Sequence, residues 1–341
     1  MKKYSFKNDY SEGAHPDILT KLVAVNLEQN IGYGEDVYTN QAKEFIKTAC
    51  SNQDAAVHFV SGGTQANLIV ISALLKPYES VIAAETGHVA VHETGAIEST
   101  GHKINTVKTK NGKLSPNDIL AVLTVHEDEH MVKPKLVYIS NSTELGTIYS
   151  KQELEAIAKT CKANDLLLFM DGARLGAALT AKTNDLTLAI ISKLTDVFYI
   201  GGTKNGALLG EAIVINYPAL QENFRFSLKQ RGALLAKGRL LGIQFLTLFT
   251  DDLFFELAKQ ANHTAELLAN ELAVLGYDFY YEAVSNQLFL VLPNELIAEL
   301  AKSYDFHIWE VVDETHSVIR LVTSWATTTE QIDGFVERLR C

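Results

Sequence analysis

Cysteine is scarce: Cys50, Cys161 and Cys341 are the only three in 341 residues. An odd number at wide spacing supports neither a disulfide framework nor a cysteine metal site, and reduced thiols in a cytoplasm are the expectation. No apolar run reaches the roughly eighteen residues of a membrane span, and Met1-Lys2-Lys3-Tyr4-Ser5-Phe6-Lys7 leads into no apolar core of a secretion signal. Positive charge is also short. Lys and Arg number 30 against 41 Asp and Glu, a formal net charge of −11, which argues against nucleic acid or an anionic membrane surface as the main partner. The chain lacks internal repeats and low-complexity tracts, a G-x-G-x-x-G dinucleotide fingerprint, and a phosphate loop ending in Lys-Ser/Thr.

What is abundant is apolar material, 47% of residues, enough for a large core. From about residue 40 to 215, short apolar runs alternate with helix-period segments, the pattern of parallel βα units. Strands are expected at Val57–Val60, Ser80–Ala84, Lys103–Val107, Leu136–Ser140, Leu166–Met170, Val197–Ile200 and Ala212–Ile215, with a helix at Val89–Ile97 among those between them. Two long helices are expected next, Leu234–Leu248 and Phe254–Leu275. Four short strands then follow at Tyr277–Tyr281, Gln287–Leu292, His307–Trp309 and Val318–Val322, with two further helices. The expected organisation is α/β: a large domain over residues 1–250 with a mainly parallel seven-stranded sheet, and a small α+β domain over residues 251–341.

Two of the apolar runs end in residues that packing does not require. Leu166-Leu167-Leu168-Phe169-Met170 leads into Asp171-Gly172-Ala173-Arg174, and Val197-Phe198-Tyr199-Ile200 into Gly201-Gly202-Thr203-Lys204. As buried parallel strands, both deliver these residues to the carboxyl edge of the sheet, where ligands bind in open α/β folds. An Asp and a Lys in one crevice meet the demands of pyridoxal phosphate, whose aldehyde takes a lysine amine and whose pyridine nitrogen takes a carboxylate. From these two residues alone an ordinary ion pair remains equally open.

Other segments bear on the same crevice. Ser61-Gly62-Gly63-Thr64-Gln65-Ala66-Asn67 lies between a strand and a helix starting near Thr64, as a phosphate seat does; a tight turn capped by Thr64 is the alternative. His88 closes the next strand and is placed to stack on a planar ring or move protons. His92 lies four residues on without further ligands nearby. His126-Glu127-Asp128-Glu129-His130 matches H-e-x-x-H in letters, but it ends a short helix in a run of acids, so a solvated charge run is expected and no metal site. Arg320 sits inside the apolar strand Val318-Ile319-Arg320-Leu321-Val322 and needs a carboxylate, whether structural or substrate. Asn8-Asp9-Tyr10-Ser11-Glu12-Gly13 and Gly32-Tyr33-Gly34-Glu35-Asp36-Val37-Tyr38 read as binding loops.

On these motifs, in this order and over nearly the whole length, the chain resembles the threonine aldolase and aromatic amino acid β-eliminating lyase family of fold type I, pyridoxal phosphate-dependent transferase-like enzymes. The carriers are Gly63-Thr64-Gln65-Ala66-Asn67, Asp171-Gly172-Ala173-Arg174 and Lys204. The resemblance implies that Lys204 holds the cofactor aldehyde and Asp171 its ring nitrogen. It also implies that His88 stacks on the ring, that Gly63 and Thr64 bind phosphate, and that Arg174 and Arg320 hold a substrate carboxylate. Asn8, Tyr38 and Glu144 are the further substrate-side candidates. It implies a homodimer or homotetramer with shared sites and cleavage of a β-hydroxy-α-amino acid to glycine and an aldehyde. β-Elimination or transamination, or a non-catalytic carrier or sensor of the cofactor, are the alternatives. Two departures stand out. Asn141-Ser142-Thr143-Glu144-Leu145 replaces the family's Glu-Asn-Thr-His-Asn. The arginine that reaches the partner's phosphate aligns near Leu235, with Lys237 and Arg231 as possible substitutes.

Overall fold

A computed structural model describes residues 3–340; Cys341 lies outside them. The strands are β1 (Tyr4–Ser5), β2 (Ala56–Val60), β3 (Glu79–Ala84), β4 (Ile104–Val107), β5 (Lys133–Ser140), β6 (Leu167–Asp171), β7 (Val197–Gly201), β8 (Glu211–Ile215), β9 (Gln287–Pro293), β10 (Tyr304–Asp305), β11 (His307–Val311) and β12 (His316–Val322). The large sheet has the order β2-β8-β7-β6-β5-β3-β4. Only β8 runs against its neighbours in it. This is the fold of type I pyridoxal phosphate-dependent transferases.

The unbroken apolar runs follow from burial on both faces. Alternate residues of one strand enter opposite cores: Met170, Phe198 and Val214 pack on one side, Phe169, Tyr199 and Ile213 on the other. A third core lies between the sheet β11-β12-β9 and the helices Leu253–Val274 and Thr329–Arg340, with Leu268, Leu290, Ile319 and Phe335 at its centre. The N-terminal strand joins that smaller unit. β1 pairs with β10, Phe6 fills the third core, and the Phe6 carbonyl accepts the Val322 N–H at 2.8 Å. The chain then passes to the edge of the large sheet, carrying Asp9 and Tyr10 with it.

Three expected elements differ. The helix at Val89–Ile97 is cut to His88–Val91, because Thr94 and Gly95 adopt positive φ of 51° and 72° and cannot continue it. The helix expected from Leu234 begins at Arg239. Tyr277–Tyr281 forms only a bridge, Phe279 to Leu290.

Candidate active site

Strands β5, β6 and β7 end together at Ser140, Asp171 and Gly201, and the reversed β8 begins beside them with Glu211. The loops at this edge enclose a cleft of about 260 Å³. Gly63, Thr64, His88, Glu144, Asp171, Arg174 and Lys204 all line it. Asn8 does not: its Oδ1 accepts the Tyr10 N–H and the Ser11 hydroxyl, both at 3.0 Å, in a turn that presents Tyr10 to the cleft instead. Tyr38 is also elsewhere, its hydroxyl donating to Glu28 and its ring 5.9 Å from the Lys21 ammonium.

Asp171 is buried but surrounded by donors. Tyr138 donates to Oδ2 at 2.6 Å, Asn67 to the same oxygen at 3.1 Å, and the Ala173 N–H to Oδ1 at 3.0 Å. Burial pushes its carboxyl up, yet hydrogen bonds from Tyr138, Tyr199 and Ala173, with the charge of His88, outweigh burial and hold it below the usual range. Asn67 also donates to Glu93 Oε1 at 2.7 Å, which lies 2.8 Å from His88 Nδ1. A continuous polar chain therefore links Asp171 to His88. Glu144 Oε1 accepts the His88 N–H at 2.8 Å and the Ser140 hydroxyl at 2.9 Å. Burial, with Asp171 nearby, raises its carboxyl despite these donors.

On the other side, burial lowers the Lys204 ammonium, Arg174 adds to the effect, and Asp9, Asp171 and Glu211 oppose it. Arg174 lines the cleft with part of its guanidinium already committed. Its Nε and Nη2 are taken by Asp9 at 2.7 and 3.0 Å, and Asp9 also accepts from Asn286. Arg320 differs. Its guanidinium lies 5.2 Å from the Trp309 ring, its buried Nε has no hydrogen-bond partner, and among the described residues it makes no ion pair. Burial and the neighbouring Arg174 push it down to about 10. A half-buried cation with one buried nitrogen unsatisfied is costly, and a carboxylate would relieve it.

The anion seat is also in place. The helix Gly63–Leu74 starts one residue before the expected Thr64, with Gly62 as its cap and no side chain on its first N–H groups. Those donors point at the cleft with the positive end of the helix. Glycine at 63 leaves room for the Tyr199 hydroxyl, from which a Cβ would lie 2.9 Å. Gln65 fixes the rim, accepting from Ser61 N–H and hydroxyl and donating to the Arg231 carbonyl at 3.2 Å. Arg231 is thereby placed next to the seat, whereas Lys237 is exposed and Arg239 binds the Asn26 and Glu28 carbonyls. An uncapped helix end, an ionised Asp171 and a depressed Lys204 around one cleft fit pyridoxal phosphate.

Sequence reasoning gave no role to Asp9, Glu93, Tyr138, Tyr199 or Glu211. Only Glu211 left a local signal, an acid opening an otherwise apolar strand. The zinc-like run is broken: the helix Pro116–Val125 ends at His126, whose Nδ1 pairs with the Val122 carbonyl at 2.8 Å, so the two histidines share no helix face.

The chain matches the beta-eliminating lyase family over residues 9–294. It is 33% identical over 338 residues to a low specificity L-threonine aldolase of Pseudomonas aeruginosa, covering 98% of this chain and 96% of the relative. A solved threonine aldolase of Leishmania major superposes with a TM-score of 0.98 at 51% identity, covering 99% and 98%. An aspartate aminotransferase of Thermus thermophilus, 15% identical, superposes at 0.72 over 99% and 91%, a likeness of fold alone.

Proposed function

Because the chain belongs to the beta-eliminating lyase family, we propose that it is a pyridoxal phosphate-dependent aldolase. Its reaction is cleavage of the Cα–Cβ bond of a small β-hydroxy-α-amino acid to glycine and an aldehyde. One observation carries the reading: Lys204 and a buried ionised Asp171 line one cleft, and Arg320, whose Nε has no hydrogen-bond partner, lies close enough to Arg174 of that cleft to feel its charge. A protein that only carries the cofactor needs no spare cation for a substrate carboxylate.

Pyridoxal phosphate, when bound, supplies a conjugated sink for the electron pair of the breaking bond. The chain supplies the rest. Lys204 is the amine that holds the aldehyde, and the helix end at Gly63 and Thr64 holds the phosphate. Asp171, kept anionic by Tyr138, Tyr199 and Ala173, retains a proton on the ring nitrogen. Arg320 grips the substrate carboxylate, with the Nη1 of Arg174 beside it, and so fixes the rotation about Cα that sets which bond breaks. His88, oriented through Glu93, packs on the ring, and His88 or Glu144 accepts the hydroxyl proton. We place the enzyme in the cytoplasm, as a homo-oligomer in which Arg231 or Lys237 helps close a phosphate site, with the cofactor carried within residues 1–250, whose N-terminal strand packs on the small domain of residues 251–341.

The test is product analysis. The purified protein is incubated with a panel of β-hydroxy amino acids, and glycine with an aldehyde is expected. Ammonia with a keto acid would reassign the reaction. Borohydride reduction and peptide mapping should place the label on Lys204; a label on another lysine sinks the site.

A further inference from the structure

Five residues past His88 the chain places a carboxyl group against the imidazole ring. Glu93 Oε1 lies 2.8 Å from His88 Nδ1, and the Glu93 side chain is 0% exposed where that of His88 is 34% exposed. Positions five apart in a helix stand about 140° around its axis and do not face each other. The break after Val91 is what permits the pairing. Thr94 and Gly95 turn the chain at positive φ, and the Ala96 N–H closes that turn on the Glu93 carbonyl at 2.9 Å. At the other end of the residue, Glu144 accepts the His88 N–H. Backbone and ring of His88 are thus each held by a different carboxyl group.

The hydrogen-bond inventory decides where the imidazole proton sits. Asn67, itself buried, gives one amide N–H to Glu93 Oε1 at 2.7 Å and another to Asp171 Oδ2 at 3.1 Å, so Oε1 acts as an acceptor. Glu93 Oε2 is buried without a partner among the described residues, and a proton there would have nothing to bond. The second donor to Oε1 is then His88 Nδ1. Nε2 makes no hydrogen bond among the described residues and is the open nitrogen of a side chain that lines the cleft. We propose that Glu93 is a positioning residue that keeps the imidazole proton on Nδ1 and so leaves the Nε2 lone pair free to accept from a ligand hydroxyl. The proposal rests on the reading of the cleft as an aldolase site, and it favours His88 over Glu144 as the group that receives the hydroxyl proton. What one ring nitrogen bonds sets which form the other presents. In the transfer one O–H bond breaks and one Nε2–H bond forms, the electron pair stays on the oxygen, and Nδ1 retains its own proton. The Glu93 carboxylate then balances the positive charge gained by the ring.

The test reads nitrogen-15 signals of the histidine side chains in the cofactor-free full chain, with His88 assigned by the signals missing from His88→Asn. At a pH of about 8, above the ordinary imidazole value of about 6.5, the parent should show a proton-bearing Nδ1 and a bare Nε2. Glu93→Met keeps the length of the side chain and removes the acceptor, so in most molecules the proton should pass to Nε2, the form that free histidine favours. Glu93→Gln keeps an acceptor oxygen and should restore the parent pattern. With cofactor and substrate present, Glu93→Met should lower kcat about tenfold or more at unchanged KM and cofactor occupancy, a split that a general loosening of the fold does not give. A proton on Nε2 in the parent overturns the proposal, as does an unchanged pattern in Glu93→Met. If Glu93→Met does not fold, the parent spectrum decides alone. Failure of the aldolase reading is distinguishable, because it would appear in the product analysis, whereas the His88 spectrum needs neither cofactor nor substrate.

Discussion

Arg174 in the cleft and Arg320 near it have unequal duties. Arg174 is tied to Asp9, while Arg320 is poised over Trp309 with a buried nitrogen unsatisfied. Arg320→Lys keeps the charge but loses the fork and the planar stack. Hydrogen bonds to charged groups contribute roughly 1.5–3 kcal/mol each, so KM for the amino acid should rise about ten- to a hundredfold with cofactor occupancy unchanged. Steady-state kinetics with absorbance of the bound cofactor checks this, and an unaltered KM would make Arg320 structural. Glu144 is argued from its anchoring. Ser140 and the His88 N–H fix one of its oxygens, so the carboxyl cannot swing out of the cleft without leaving a buried N–H unpaired. It lines the cleft beside His88, and a carboxyl there offers hydrogen-bond chemistry that an amide changes. Glu144→Gln should therefore reorder preference among threonine, allo-threonine and a bulkier β-hydroxy amino acid. The same order in parent and variant would show that another residue selects the side chain.

Among the elements, the edge strand β2 carries the clearest pH signal. His58 on it packs near Phe224, with ring centroids 5.1 Å apart, and burial, helped by Lys43 and Arg225, lowers its imidazole to about 3. Because the folded value lies below the ordinary 6.5, the unfolded chain binds a proton that the folded one refuses as pH falls below 6.5. Stability then drops with falling pH until about 3, by up to about 1.4 kcal/mol per unit. Urea unfolding at pH 7 and pH 5 should reveal a loss that is smaller in His58→Gln; equal losses would assign the acid sensitivity to other groups. The strands of the large sheet were legible in the sequence because burial on both faces leaves unbroken apolar runs, and Asp171 and Lys204 were legible as polar ends of such runs. What escaped was set by contacts remote in sequence. Asp9 meets Arg174 from 165 residues away in the chain, and Asn67 joins Glu93 to Asp171. The broken helix after His88 escaped for a local reason. Its apolar spacing is helical, and only the positive φ of Thr94 and Gly95 reveals the turn.

At the level of the whole molecule, the N-terminal region exposes apolar surface that a lone chain has no use for. Val23 is 77% exposed, Leu27 92% and Ile31 72%, and Tyr33 and Val37 follow them. The stretch is held in place, since Arg239 binds the Asn26 and Glu28 carbonyls and Arg225 pairs with Glu35 at 2.7 Å. Soluble monomers rarely keep apolar residues grouped in this way. Tyr38 belongs to the same region and lies away from the cleft of its own chain, as it should if it serves a second copy. We therefore expect this face to pair with another copy and bring the phosphate-side basic residues to a neighbouring cleft. In Leu27→Asp a charge is forced into that contact, where desolvating it without a partner is strongly unfavourable. The variant should sediment as a smaller species than the parent, with cofactor affinity and turnover each reduced about tenfold or more, while far-ultraviolet circular dichroism stays that of the parent. A parent that sediments as a fully active monomer would remove the basis of the shared site. A variant that stays associated and active would move the interface away from Leu27.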